Sequence, residues 1–108
     1  MISTHVLDTS RGTPAANISV VLDRRDGTAW SRVGSRSTDR EGRIGSFSDA
    51  ALEAGTYRLT FDTGAYHRGS GVVPFFPEVT VTFAVASGAH YHVPLLLSPY
   101  GYSTYRGA

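Results

Sequence analysis

The sequence predicts an all-β fold: a two-sheet antiparallel sandwich of about eight strands with one short helix. Three observations predict it. Two stretches alternate strictly between apolar and polar residues, turn-forming pairs recur at short intervals, and no segment can make more than one or two turns of helix.

Tyr57, Leu59 and Phe61 alternate with Thr56, Arg58, Thr60 and Asp62. Val79, Val81, Phe83 and Val85 alternate with Thr80, Thr82 and Ala84 in the same way. Successive strand side chains point to opposite faces, so both runs read as half-buried strands. Turns are expected at Gly12-Thr13-Pro14, Asp26-Gly27, Glu41-Gly42, Ala54-Gly55, Ser87-Gly88 and Pro99-Tyr100-Gly101. Asp26-Gly27 is the best hairpin candidate, because both residues tolerate the positive φ of a type I′ turn. Strands are accordingly expected near residues 3–8, 17–25, 29–36, 43–47, 56–62, 78–86, 89–97 and 102–106. Helix is confined to Ser48 to Glu53, stopped by Gly55, or Thr63 to Arg68, stopped by Gly69.

A chain of 108 residues with no internal repeat and no linker reads as a single domain, 1–108. With no cysteine, neither disulfides nor thiolate metal ligation are available, so packing or subunit assembly must hold the fold. The start of the chain has no basic segment followed by an apolar run, and no stretch approaches a membrane span, so a soluble, cytoplasmic protein is expected. Ten basic residues against nine acidic ones give a net charge of +1, with no basic stripe, which argues against nucleic acid as partner. Every basic residue is arginine, which removes lysine Schiff-base and general-base chemistry.

His90 and His92 are two apart and therefore share one strand face, with Tyr91, Val93, Leu95 and Leu97 on the other. The aliphatic face belongs in the core, which leaves the imidazoles outside. A His-x-His on an outer face is most often simply solvated. Here Pro94-Leu95-Leu96-Leu97 is apolar on both faces, so a second subunit is expected to cover it and leave the histidines beside an interface cavity. His5 faces opposite to Thr4 and Val6, and would meet His92 if the two strands are neighbours. Histidine suits a general base near neutral pH, and arginine suits stabilisation of developing negative charge. Composition does not choose among ten arginines, and Arg43 alone reads as a solvated side chain. The tail from Ser98 to Ala108 carries three tyrosines, too many to leave in solvent, so it is expected to dock. It either packs as a final edge strand or closes over a site through Arg106.

Four stretches together resemble the transthyretin-like 5-hydroxyisourate hydrolase family: Ser3-Thr4-His5-Val6-Leu7-Asp8-Thr9, Asp39-Arg40-Glu41-Gly42-Arg43, Phe75-Phe76-Pro77-Glu78-Val79, and the long run from His90 through Gly107. The resemblance spans essentially the whole chain. It implies an eight-stranded sandwich assembled as a homotetramer, a dimer of dimers, with active sites between dimers and the chain end contributing to them. It implies catalytic roles for His5, Arg43 and His92, and substrate contacts from Tyr105, Arg106, Gly107 and position 108; His90 is not assigned. Ala108 stands where the family usually carries serine. The implied reaction is hydrolysis of 5-hydroxyisourate without cofactor or metal, with a histidine pair activating water and the arginine stabilising negative charge.

Two other readings compete. One is a non-hydrolytic small-molecule carrier of the transthyretin type, disfavoured by Arg43, His92 and the Tyr105-Arg106-Gly107 tail. The other is a zinc hydrolase using His5, His90 and His92, since three neutral imidazoles leave a coordination position for water. No carboxylate near them is an evident partner to orient the rings.

Overall fold

The computed structural model describes residues 1–86 and 88–108. The expected turn at Ser87-Gly88 therefore falls partly outside the described residues. The chain runs β1 (Ile2–Asp8), β2 (Thr13–Pro14), β3 (Ser19–Asp26), β4 (Ala29–Ser37), β5 (Arg43–Ile44), β6 (Gly55–Phe61), α1 (Thr63–Gly69), β7 (Val79–Val85), β8 (Tyr91–His92), β9 (Leu95–Ser98) and β10 (Gly101–Thr104). One sheet has the order β4-β3-β6-β7. The other has the order β10-β9-β1-β2, with β5 and β8 also paired to β1.

The period-two runs bury the expected faces. Tyr57, Leu59, Phe61, Val79 and Val85 are buried, and Val81 and Phe83 pack half-buried against them. Val6, Leu95 and Leu97 meet them from the opposite sheet, giving one continuous core. Each such side chain contributes roughly 1.5–3 kcal/mol by leaving water.

The sheets are mostly antiparallel, but β1 pairs in parallel with both β8 and β9. The two ends of the chain thus lie side by side, a parallel crossover made by nearly the whole domain between them. The expected strand over 89–97 is split into β8 and β9, because Pro94 has no N–H for the ladder. Register continues across the gap: Val93 N–H donates to the Ser3 carbonyl at 2.9 Å, and the Thr4 hydroxyl donates to the Val93 carbonyl at 2.6 Å. The expected 43–47 strand shortens to Arg43–Ile44, and the last strand ends at Thr104 rather than 106.

The β3–β4 hairpin forms, with a correction to its turn. Asp26 and Ala29 pair, so Gly27-Thr28 are the central residues and only Gly27, at φ 64°, lies in the left-handed region. That is the pattern of a type II′ rather than a type I′ turn. Of the two candidate helices, 63–69 forms and 48–53 does not. Asp62 caps α1 by accepting from Ala65 N at 3.1 Å. Tyr66 on α1 donates its hydroxyl to Asp8 at 2.6 Å, tying the helix to the end of β1.

Candidate active site

The turn Asp39-Arg40-Glu41-Gly42 delivers Arg43. Asp39 Oδ1 accepts from the backbone N–H of Glu41 and of Arg43, each at 2.9 Å. These bonds, that from Arg43 first, hold the Asp39 carboxyl below its ordinary pKa. Gly42 sits at φ 76° with its carbonyl accepting from Val6 N at 2.8 Å, and any Cβ there would strike the Val6 carbonyl. The turn is thereby pressed onto β1, and Arg43 pairs directly with His5.

On the other side of β1, Ser3 pairs with His92. Because β1 alternates, Ser3 and His5 leave on the same face while Thr4 and Val6 enter the core. The outward face therefore carries Arg43 on β5, Ser3 and His5 on β1, and His90 and His92 around β8. A cleft of about 290 Å³ opens there, lined among others by Ser3, Arg43, Gly45, His90, His92 and Ala108.

Ser3 Oγ lies 2.7 Å from His90 Nε2 and 2.7 Å from His92 Nδ1. With Nδ1 so engaged, Nε2 is the His92 nitrogen left for chemistry. Partial burial first, then the charges of His90, Arg43 and His5, push the His92 pKa below its ordinary 6.5. A pKa below 6.5 leaves His92 mostly neutral at pH 7 and able to accept a proton.

The chain end reaches the same place by one backbone contact. Gly107 N–H donates to the His92 carbonyl at 2.7 Å, an antiparallel bridge, and Ala108 follows into the cleft.

The structure thus brings His5, Arg43, His92, Gly107 and Ala108 to one face. Tyr105 and Arg106, expected as substrate contacts, do not reach this cleft within the chain. They line a separate apolar cleft of about 220 Å³ with Val81, Phe83, Tyr91 and Val93, and the Arg106 guanidinium lies 4.6 Å from the centre of the Tyr91 ring. The tail pairs as edge strand β10 on β9 and Arg106 stacks on Tyr91 rather than closing over the histidines, but Tyr100, Tyr102 and Tyr105 stay exposed in the single chain, against the expectation that the aromatic tail buries them. The residue missed in the sequence is Ser3: its alternation with Thr4 placed it on His5's face, but its neighbours depended on an unforeseen parallel pairing. His90, unassigned earlier, belongs to the same cluster. Among the described residues, no group of three or more His, Asp or Glu side chains is arranged to hold a metal ion, so the three-imidazole zinc site gains no support from this geometry. Among the described residues, no helix is long and apolar enough to cross a membrane.

The chain matches the model of the HIUase/Transthyretin family over residues 2–107. It is 46% identical to the 5-hydroxyisourate hydrolase of Mesorhizobium japonicum, over 99% of this chain and 91% of that protein. It is likewise 46% identical to the uric acid degradation bifunctional protein TTL of Arabidopsis thaliana, but spans only 37% of that longer protein. Among solved structures, the 5-hydroxyisourate hydrolase of Klebsiella pneumoniae superposes with a TM-score of 0.89 at 42% identity, covering 99% of this chain and 98% of the other. Sea bream transthyretin in complex with thyroxine superposes with a TM-score of 0.92 at 31% identity, covering 99% and 94%. The chain therefore belongs to the HIUase/Transthyretin family.

Proposed function

We propose that the protein hydrolyses 5-hydroxyisourate to 2-oxo-4-hydroxy-4-carboxy-5-ureidoimidazoline, a step of urate degradation, using water and no cofactor. The observation that carries this reading is the sharing of one cleft by Arg43 and by His92, whose Nδ1 is engaged by Ser3 and whose Nε2 is left for chemistry. His92 Nε2 accepts a proton as the water oxygen bonds to the carbonyl carbon of the substrate ring. Negative charge collects on the carbonyl oxygen, where Arg43 stabilises it. The ring carbon–nitrogen bond then breaks, and the departing nitrogen takes the proton back from His92. His5, beside Arg43 on the ladder, helps hold the water. A base of this kind contributes roughly 10²–10⁴-fold, and a fixed donor at the oxyanion about 3 kcal/mol.

Gly107 and Ala108 form the substrate-facing end of the tail, while Tyr105 and Arg106 anchor it. We also propose that the working unit is a cytoplasmic homotetramer, a dimer of dimers that encloses each cleft. Supporting it, Leu96 is only half-buried and Phe75 and Tyr100 are exposed in the single chain. The family likeness to a thyroxine-binding transthyretin raises a carrier as the rival, but a carrier has no need of a neutral imidazole facing a guanidinium.

The test is to generate hydroxyisourate freshly from urate and follow its ultraviolet decay. The proposal expects decay well above the spontaneous rate with accumulation of the ureidoimidazoline. Decay at the spontaneous rate rejects it.

A further inference from the structure

We propose that Ser3 is a positioning residue for this reaction: its hydroxyl, shared between His92 and His90, fixes His92 in the tautomer whose Nε2 carries no proton. The inference rests on the hydrolytic reading above and adds to it the group that makes His92 a base at all. A neutral imidazole carries its proton on one nitrogen or the other, and only the Nδ1–H form presents a lone pair at Nε2.

A serine hydroxyl has one proton to donate. Ser3 Oγ stands 2.7 Å from both rings, so at least one of the two ring nitrogens donates to it. When both ring N–H groups donate to Ser3, His92 Nε2 is bare; two further arrangements place the serine proton between the rings. In the first, His92 Nδ1–H donates to Ser3 and Ser3 donates to His90 Nε2, leaving His92 Nε2 bare. In the second, His90 Nε2–H donates to Ser3 and Ser3 donates to His92 Nδ1, leaving a proton on His92 Nε2.

Of these two, the surroundings select the first. Arg43 lines the same cleft, and a lone pair exposed to a guanidinium is favoured over an N–H dipole pointing the same way. His90 is exposed, so water satisfies its other nitrogen in either state. Ser3 itself is held firmly. It is 6% exposed, its carbonyl accepts from Val93 N, and its strand is paired on both sides. The hydroxyl is thus delivered between the two rings by the strand pairing.

The test combines imidazole ¹⁵N NMR with steady-state kinetics. In the native protein at a pH where His92 is neutral, the His92 spectrum is expected to show a protonated Nδ1 and an unprotonated Nε2. In Ser3→Ala the two tautomers mix, and kcat falls about 10–100-fold, by analogy with the loss when a partner orienting a metal-bound histidine is removed, with KM changed less than about twofold. Ser3→Thr, which keeps the hydroxyl, recovers the Nδ1–H signature and most of kcat. A native spectrum with the proton on Nε2 overturns the proposal without any variant. So does a Ser3→Ala protein that keeps the native tautomer or the native kcat, or a folded Ser3→Thr protein that recovers neither. The tautomer is read without substrate, so a native protein inert toward hydroxyisourate defeats the hydrolytic reading, while the spectrum decides the role of Ser3 separately.

Discussion

Gly107 packs directly against the side chain of His92: a Cβ at position 107 would stand 2.5 Å from the ring's Cδ2. No side chain fits in that gap unless the ring or the chain end moves. The backbone bond from Gly107 to the His92 carbonyl and this close approach together fix where Ala108 enters the cleft.

Gly107→Ala is therefore expected to push the tail off His92 with little effect on the core, which lies on the other face of the sheet. Activity should fall about tenfold or more, since a displacement of the order of 1 Å at a positioned group costs up to about 10²-fold. The melting temperature should move by only a few degrees. Kinetics beside a thermal melt check this, and a fully active Gly107→Ala protein refutes the close packing.

The depressed pKa of His92 sets the pH response. The base works when neutral, so the midpoint of the acid limb of kcat/KM should fall below pH 6.5. The same group makes a signed contribution to folding. Its stabilisation is fully present above the unfolded value of 6.5 and is lost as pH falls through the folded one, because the unfolded chain binds the proton more readily. A pH–rate profile measured together with melts across pH 4.5–8 tests both; an acid limb with its midpoint at or above 6.5 contradicts the assignment.

Arg43 is expected to act on the transition state rather than on fold or binding alone. It is exposed, and its position is set by backbone bonds to Asp39 and by pairing with His5, so truncation leaves the turn intact. Arg43→Ala should lower kcat about 10²–10³-fold. Arg43→Lys should recover part of this loss, since charge survives but the planar donor fork does not. Loss confined to KM indicates simple substrate binding instead.

Tyr66 and Asp8 supply a stability test far from the cleft. Burial alone raises the Asp8 pKa, but the hydroxyl of Tyr66, then Ser10 and the backbone of Ser10 and Arg11, outweigh it and leave the carboxyl below its ordinary 3.8. Tyr66→Phe should cost about 1.5–3 kcal/mol near neutral pH. The native advantage persists above 3.8 and shrinks as pH falls through the lowered pKa. Denaturant melts of both proteins at pH 7 and pH 3 check it, and an equal difference at the two values counts against a charged Asp8.

Much of the fold is legible in the sequence. Alternation at Tyr57-Leu59-Phe61 and Val79-Val85 assigned faces because a half-buried sheet enforces a period of two, and the same rule turned His90 and His92 outward. The site was less legible, because it is assembled by pairings remote in sequence. The parallel register of Ile2 with Tyr91, and the short pairing of β1 with β5, leave no local trace. Ser3 looked like an ordinary strand polar residue until His90 and His92 were placed beside it. Arg106 was expected as a substrate contact from its resemblance alone, and within the single chain its side chain packs on Tyr91.

The central claim is that His92 takes the proton from water. Comparing His92→Ala with the native protein on freshly made hydroxyisourate tests it most directly, with folding confirmed by circular dichroism. The account predicts a fall of roughly 10²–10⁴-fold in kcat. A folded His92→Ala protein turning over at the native rate would contradict it.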